Sequence, residues 1–366
     1  MASEFVVDFP TLGDLLDGWY EAHCLIPDGF KRGKPFRQYD WQFFCTANYY
    51  RVRDDAVYDP DDPPLNQAFV NRRGQVVAAQ KTGKGPWSAC IVAGEAVGPS
   101  QFIGWAEGGE VYRCDDWGCP CGWEYTYLPG EPMGGRHPSP LIQCTARSQD
   151  QVDNVWRPLN AMVRRRDSPL GKLLLPREDH FKIVGQNMDD PELDRIDSVT
   201  SSAQSRLGNP ISFALQDETG TWTLSNGMQD VADTQRRGAA GMSGRSLETT
   251  NCWDPSQQSV AQATYESPAQ DIFRFWRDPD LVLRKKDGKP LSFRNKAERR
   301  QILAYVYEGC AHIKLDSINA EAEEILARDP AQAERFFGNR LVSGSGSWID
   351  PAVWRRAYAG VASSTA

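Results

Sequence analysis

A short turn rich in glycine and lysine carries the residue types that hold phosphate. It consists of Lys81, Thr82, Gly83, Lys84 and Gly85. The apolar run 75–79 before it predicts a buried strand, and the segment from Pro86 onward has apolar residues at helical spacing. Backbone N–H groups at the start of that helix, together with its dipole, would face an anion in the turn. The sequence therefore predicts a phosphate-binding loop at a strand-to-helix junction.

The turn differs from the usual phosphate loop, G-x-x-x-x-G-K-[ST], at both ends. Ala78 stands at the first glycine position, and Gly85 stands where a serine or threonine hydroxyl would bind Mg²⁺. An ordinary strand-to-helix turn with a solvated lysine has the same composition. The turn alone leaves both interpretations open, and a second motif has to decide between them.

Two adjacent carboxylates, Asp217 and Glu218, follow an apolar run at 210–215. Such a run is typical of a central parallel strand that is covered on both faces. At the end of that strand, one carboxylate can order Mg²⁺ and the other can polarise the water that attacks a phosphate. We assign Asp217 to the metal and Glu218 to the general base of ATP hydrolysis. An acidic pair alone also fits a solvated turn, but together with the Gly-Lys turn it favours an ATPase.

A third segment, 245–251, predicts a strand that ends in small polar side chains. These are Thr249, Thr250 and Asn251. Their hydroxyl and amide groups can sense a γ-phosphate, although they equally suit a turn capped by side chains. The order of the three motifs along the chain favours the first interpretation.

In this order the motifs resemble those of the large terminase subunit of tailed bacteriophages, the motor that drives DNA into the capsid. The similarity is closest to versions from phages of actinobacteria and extends over nearly the whole chain. The segment 39–42 (YDWQ) is similar to the family's adenine-recognising motif, which implies that Gln42 contacts the base. The turn 81–85 is similar to the family's phosphate loop, which implies that Lys84 acts in catalysis. The segments 217–218 and 249–251 match the catalytic acids and the coupling motif, which implies that Asn251 contacts the nucleotide.

The resemblance implies an ASCE-type P-loop NTPase fold, with three α/β/α layers around a mostly parallel sheet and a small helical lid subdomain. It also implies an ATP hydrolase that uses ATP and Mg²⁺ to translocate double-stranded DNA into a procapsid. The implied partners are DNA, the portal protein, the small terminase subunit and further copies of the chain in a ring.

Family members often place an arginine about ten residues before the acids, where it acts on a neighbouring subunit's nucleotide. Arg206 lies at that spacing. A guanidinium suits this role because it stays charged and can bind a phosphate through two N–H groups. A surface arginine in a polar loop is the alternative.

The family normally continues into an RNase H-like nuclease domain, and this sequence ends about where that domain should begin. We find no later cluster of acidic residues, so we predict no nuclease activity for these residues. Two other functions fit the same motifs. One is a nucleotide-binding assembly module with little catalysis, which Gly85 favours, and the other is a different P-loop translocase or helicase.

The motifs divide the chain into three predicted parts. Residues 1–70 are an N-terminal lead-in with the adenine-binding segment, 71–253 are the P-loop ATPase core, and 254–366 are a mostly helical lid or linker subdomain. Within the core, 104–140 is an irregular insertion rich in cysteine, glycine and proline.

The composition limits the partners. The chain has 366 residues and a net charge of −8, which argues against a protein that coats nucleic acid with its whole surface. DNA contacts would then be local, with the arginines at 164–166 and at 236–237 as candidates, each of which is otherwise a solvated helix face. No apolar run approaches a membrane span and the N-terminus lacks a signal-peptide pattern, so we expect no membrane partner and a location in the host cytoplasm.

Three of the nine cysteines, Cys114, Cys119 and Cys121, lie close together in the insertion. Zinc would need one more ligand that folds back onto them, and His137 and Cys144 follow downstream. The Cys-Pro-Cys spacing makes it difficult for both sulfurs to bind one ion at tetrahedral angles. We therefore favour reduced thiols in a surface insertion, with zinc as the alternative.

Overall fold

The computed structural model describes residues 5–184, 194–200 and 209–344. The strands, numbered along the chain, are β1 (Arg73–Val77), β2 (Gln101–Trp105), β3 (Val111–Arg113), β4 (Glu124–Thr126), β5 (Pro132–Gly135), β6 (Leu141–Thr145), β7 (Leu174–Pro176), β8 (His180–Ile183), β9 (Arg195–Val199), β10 (Phe213–Asp217), β11 (Arg245–Thr250) and β12 (Ile272–Trp276). The helices are α1 (Gly13–His23), α2 (Asp40–Tyr49), α3 (Lys84–Val97), α4 (Gln149–Val163), α5 (Met228–Gly241), α6 (Val260–Tyr265), α7 (Pro279–Val282), α8 (Lys296–Val306), α9 (Leu315–Arg328) and α10 (Pro330–Phe336).

Eight strands form the central sheet, in the order β12-β1-β11-β10-β6-β9-β8-β7. The strands from β12 to β9 run parallel, and β8 and β7 are added antiparallel at one edge. One strand, β11, lies between β1, which leads into the Gly-Lys turn, and β10, which ends at Asp217. This additional strand is the feature that defines ASCE-type P-loop folds, so the predicted fold class is confirmed.

Helices cover both faces of this sheet, because side chains that alternate along a strand point to opposite sides. Phe213 and Leu215 of β10 belong to the main hydrophobic core, which also contains Trp87 of α3. Ala214, between them, packs against Ala239 of α5 in a separate cluster. The result is a three-layer arrangement in which β10 is buried along its whole length.

The N-terminal segment shares the main core. Trp19 of α1 and Tyr49 of α2 are almost fully buried in the same cluster as Trp87. Burial of such large aromatic side chains contributes strongly to stability. Helices α1 and α2 are therefore integral to the main core of the fold.

One further strand of the central sheet lies in the C-terminal part of the chain, between α6 and α7. Strand β12 lies after residue 253, the predicted end of the core, and pairs in parallel with β1. Its sequence, IFRFW, has the aromatic residues typical of strands. The predicted division of the chain places this run in the mostly helical segment 254–366. Helices α8 to α10 then form a smaller core of their own, which includes Phe293, Leu303 and Ala79, two residues after the end of β1.

The insertion 104–140 is more regular than predicted. It contains the antiparallel pair β3–β4, and its last strand, β5, pairs with β2. These strands are only three to five residues long, and glycine and proline around them hide the alternation that usually predicts strands. Within the described ranges, no helix combines the length and hydropathy needed to cross a bilayer.

One of the predicted DNA-contacting arginines has a structural role. Glu248 of β11 is buried and forms ion pairs with Arg73 at 2.8 Å and with Arg236 at 3.3 Å. A buried carboxylate needs such partners, because removal from water is otherwise costly. Arg236 is therefore committed to the fold, whereas Arg237 is exposed and contacts Thr234 within α5.

Candidate active site

The Gly-Lys turn has the left-handed backbone that a phosphate loop requires. Lys81 has φ 66° and Gly83, the residue before α3, has φ 98°. Left-handed residues separated by right-handed or extended ones turn successive N–H groups toward a common point. A glycine at the second of these positions avoids the strain that a side chain would add.

The carbonyl groups of residues 80–83, at the start of the turn, all accept hydrogen bonds from side chains elsewhere in the chain. Three hydrogen bonds come from the segment after α8: the Tyr307 hydroxyl donates to Gln80 O at 2.8 Å, His312 Nε2 to Lys81 O at 2.9 Å, and Cys310 Sγ to Thr82 O at 3.7 Å. The fourth comes from α2, where Gln42 Nε2 donates to Gly83 O at 3.2 Å. The turn is therefore clamped between the N-terminal and C-terminal helical segments.

The amide groups of the same turn remain available. Among the described residues, no acceptor receives a hydrogen bond from the N–H groups of Lys81, Thr82 or Gly83. Unpaired backbone donors are uncommon in folded proteins and mark a place where a ligand or water supplies the acceptor. With the carbonyls held elsewhere, these amides form an anion cradle at the N-terminus of α3.

Lys84 lies beside this cradle and faces both predicted acids. Its ammonium group donates to Ala78 O at 2.6 Å, Ala79 O at 3.1 Å and Asn251 Oδ1 at 2.8 Å. Burial lowers the pKa of Lys84, and the negative charges of Glu218 and Asp217 partly oppose that shift. The structure thus brings together the ammonium group and the two acids that the sequence predicts, across 133 and 134 positions of chain.

Asp217, at the end of β10, is buried among polar groups. The Thr249 hydroxyl donates to Asp217 Oδ1 at 2.6 Å, and Asn154 Nδ2 of α4 donates to Oδ2 at 3.3 Å. Register fixes the first contact, because Asp217 and Thr249 are neighbours on β10 and β11. Carboxylate, hydroxyl and amide oxygens are hard donors of the kind that Mg²⁺ prefers.

Glu218 has the properties of a general base. Its backbone is left-handed, with φ 56°, which turns the side chain away from the strand direction. Asn251 Nδ2 donates to Glu218 Oε2 at 2.9 Å. Burial raises the pKa of Glu218 to about 7, Lys84 opposes the rise, and the nearby Asp217 adds to it. A carboxylate with a pKa near neutrality is well suited to take a proton from water.

The structure explains why position 85 is a glycine. A Cβ atom at Gly85 would lie 2.3 Å from the carbonyl oxygen of Asn154 in α4. The serine or threonine of the usual phosphate loop therefore does not fit unless α4 moves. The close contact between α3 and α4 fills the space that a side chain at position 85 would need. The same contact places Asn154 within hydrogen-bonding distance of Asp217.

Gln42 lies against the loop and not in an open base-binding position. Its Oε1 accepts a hydrogen bond from Tyr39 N at 2.9 Å, which caps α2, and its Nε2 donates to Gly83 O. The side chain is fully buried. A role in adenine recognition stays a prediction, whereas the observed contacts position the loop.

Two clefts meet at Glu218. One has a volume of about 800 Å³ and is lined by the turn, by Lys84 and both acids, and by His312 and Lys314. Its size is in the range of small-molecule sites. The other, of about 890 Å³, is lined by Glu218 and Asn251 together with Arg147 and Arg335. The general-base candidate can therefore be reached from both sides.

Sequence reasoning missed several groups around these clefts. Asn154, Tyr307 and His312 act through non-local hydrogen bonds, which leave no pattern in a sequence. Arg147 follows the end of β6, next to β10 in the sheet, and no motif in the sequence singles it out. Arg206, the predicted arginine finger, lies outside the described residues.

Comparison with known proteins relates this geometry to a fold. No family model matches the chain. The gene 13 proteins of Mycobacterium phages D29 and L5 are each 22% identical to it, over 323 and 313 residues. The alignments cover 80% and 79% of this chain and 47% of each relative, so the chain spans about half the length of the curated relatives it matches.

The crystal structure of the HK97 bacteriophage large terminase is similar to the whole described fold. The TM-score is 0.56 at 16% identity, and the match covers 94% of this chain and 58% of the HK97 chain. The chain therefore has the fold of the matched part of the HK97 large terminase, and the resemblance predicted from its motifs is confirmed.

Proposed function

We propose that this chain is the ATP-hydrolysing part of a phage DNA-packaging motor. The observation that carries the proposal is the convergence of the anion cradle, Lys84 and the Asp217–Glu218 pair at one end of a parallel sheet. The fold shared with the HK97 large terminase supports the same function. DNA translocation, the portal and small-subunit partners, the ring and the host-cytoplasmic location belong to the proposal as well, as does the three-part division of the chain.

The residues present fit a nucleoside triphosphate and a magnesium ion. The free N–H groups of residues 81–83 and the Lys84 ammonium would bind the phosphates. Asp217, supported by Thr249 and Asn154, would hold Mg²⁺. When bound, Mg²⁺ would neutralise phosphate charge, as it does in other phosphoryl-transfer enzymes.

Glu218 would remove a proton from the attacking water. Its carboxylate is held by Asn251, which also accepts from Lys84, so the base and the phosphate-binding cation are linked. Loss of the γ-phosphate would change the hydrogen bonds of Asn251 and, through β11, the position of that strand in the sheet. Tyr307, Cys310 and His312 would pass the same change to the C-terminal helices, because they hold the loop carbonyls.

A phosphate-release assay tests the proposal. Wild-type protein should hydrolyse ATP, and Lys84→Ala and Glu218→Gln should each lower kcat by about 10²-fold or more. Glu218→Gln should still bind nucleotide, because the cradle and Lys84 are intact. Arg237→Ala, on the exposed side of α5, is the matched control and should keep wild-type turnover without DNA.

Three results would contradict the proposal. Normal hydrolysis by Glu218→Gln would remove the base assignment. Nucleotide-dependent thermal stabilisation with no phosphate release at any protein or DNA concentration would instead identify a nucleotide-binding assembly module, which the glycine at position 85 makes the second candidate. Strand separation of a forked duplex would identify a helicase.

A further inference from the structure

Three cysteines of the insertion converge on one buried histidine of α1. They are Cys114, Cys119 and Cys121, and the histidine is His23. We propose that these four residues bind one Zn²⁺ ion as a structural site. The proposal is independent of the ATPase site, because none of the four residues lines the clefts at Glu218.

The distances match tetrahedral zinc coordination. His23 Nε2 lies 3.4 Å from Cys114 Sγ, 3.5 Å from Cys119 Sγ and 3.3 Å from Cys121 Sγ. All four donor atoms lie within 4.8 Å of one another. Zinc bonds of about 2.3 Å to sulfur and about 2.0 Å to nitrogen, at tetrahedral angles, separate the two donors by about 3.5 Å. A zinc ion therefore fits at the centre with little movement of the donors.

The histidine is oriented as a zinc ligand. Its Nδ1 lies 2.9 Å from the carbonyl oxygen of Trp19, which can only accept, so Nδ1 carries the proton. The lone pair of a neutral ring is then on Nε2, the atom that faces the three sulfurs. The ring stacks on Trp19 at a centroid distance of 4.3 Å and meets the edge of Trp123 at 6.0 Å. Such a backbone hydrogen bond on the second nitrogen is typical of metal-binding histidines.

The cysteine loop is shaped so that its sulfurs face inward. Cys114 N donates to Trp123 O at 3.1 Å and Cys119 N to Cys114 O at 3.0 Å, which folds the loop back on itself. Trp123 N lies 3.4 Å from Cys121 Sγ, an N–H···S contact that stabilises a thiolate. Gly118 ends the turn at 114–117 and Gly122 follows Cys121. Both glycines have a left-handed backbone, which allows these turns to be tight. The Cys-Pro-Cys spacing, which from the sequence alone is unfavourable for zinc binding, is accommodated by these turns.

The donor set selects the metal. Three soft sulfurs and one imidazole favour Zn²⁺ over Mg²⁺ or Ca²⁺, which prefer oxygen. Four protein ligands also leave no open position, as in structural zinc sites. The sequence suggested His137 or Cys144 as the missing ligand, but His137 Nδ1 accepts from Ser139 N and Cys144 lies in β6. His23 lies 91 residues before Cys114, which is why local spacing does not reveal it.

Zinc would supply stability that the insertion lacks. The β3–β4 pair has only three residues in each strand. Such a small antiparallel pair is only marginally stable unless a cross-link or a bound metal holds it. A metal that joins α1 to this pair would fix the insertion on the main core. Folding and metal binding would then be coupled.

Metal analysis of the purified full chain tests the proposal. Protein prepared without chelators should contain about one zinc per chain, and replacement with Co²⁺ should give the intense visible absorption of tetrahedral thiolate coordination. Chelation should lower the Tm, and added Zn²⁺ should restore it. Cys121→Ser, at the exposed side of the cluster, should lose most of the zinc and lower the Tm.

Cys24→Ala is the matched control, because Cys24 is buried next to His23 and is not in the cluster. It should keep the full zinc content even if its Tm falls. Wild-type protein that contains no zinc after expression and refolding with Zn²⁺, or Cys121→Ser that keeps full zinc content with unchanged cobalt absorption, would overturn the proposal. A disulfide among the three cysteines in metal-supplemented protein would do the same.

Discussion

Lys84 and Glu218 share one hydrogen-bonding partner, the side-chain amide of Asn251. Its oxygen accepts from the Lys84 ammonium at 2.8 Å, and its nitrogen donates to Glu218 Oε2 at 2.9 Å. A cation at the start of α3 and a carboxylate just after β10 are therefore separated by a single planar group. Rotation of that amide would exchange donor and acceptor and break both contacts.

Asn251→Ala should uncouple the two charged groups. Each lost hydrogen bond involves a charged partner, so we expect kcat to fall about 10-fold to 100-fold. Nucleotide affinity should change less, because the anion cradle does not depend on Asn251. Steady-state ATP hydrolysis measures kcat, and equilibrium titration measures binding. Asn160→Ala, in α4, is the control and should keep both values; a wild-type kcat in Asn251→Ala would exclude the linking role.

The raised pKa of Glu218 makes activity depend on pH. Burial raises this pKa from 4.5 to about 7, so the fraction of ionised base, and with it kcat, should decrease as the pH falls through 7. Measurement of kcat from pH 5.5 to 8.5 checks this. A flat profile at saturating nucleotide would contradict a carboxylate base with this pKa.

The same shift has a consequence for stability without nucleotide. A carboxyl whose pKa is higher in the folded state contributes stability below the unfolded pKa of 4.5, and loses it as the pH rises through about 7. Glu218→Gln, which stays neutral, should therefore raise the Tm at pH 8 relative to wild type and have little effect near pH 5. Glu321→Gln on the exposed side of α9 should have no such pH-dependent effect.

Gly85→Ala should destabilise the protein, because the added Cβ would meet the Asn154 carbonyl at 2.3 Å. Overpacking of this kind costs about 1–3 kcal/mol, and denaturant unfolding measures it. Gly241→Ala is the matched control: it also lies in a helix, but a Cβ there meets nothing within 4 Å. Equal stability of the two variants would show that α4 adapts, and a serine at 85 would then be tolerated.

Tyr307→Phe removes the hydroxyl that holds the Gln80 carbonyl. We expect weaker nucleotide binding, with a stability cost of about 1 kcal/mol for one hydrogen bond. Calorimetric titration and unfolding measure the two effects separately. Tyr58→Phe removes a hydroxyl that has no hydrogen bond within the described ranges and should leave binding unchanged. Unaltered affinity in Tyr307→Phe would mean that the C-terminal helices do not position the loop.

Local patterns predicted the parts of the site that lie at strand and helix ends. The apolar runs before Lys81 and Asp217 and the polar end of β11 sufficed for these, because parallel strands bring their carboxyl ends to one edge. The sequence could not predict contacts made between distant segments. Asn154, His312 and His23 each act through partners far along the chain, and no periodicity records such contacts. Strand β12 was missed for a related reason, because only its pairing with β1 identifies it as part of the sheet.

The clamped carbonyls of residues 80–83 bear on how a nucleotide would arrive. Their peptide planes are fixed by Gln42, Tyr307, Cys310 and His312, so folding has already met the entropy cost of ordering the loop. Association should therefore be fast and show little of the lag that accompanies loop rearrangement. The same rigidity would make product escape depend on motion of the helices that grip the loop.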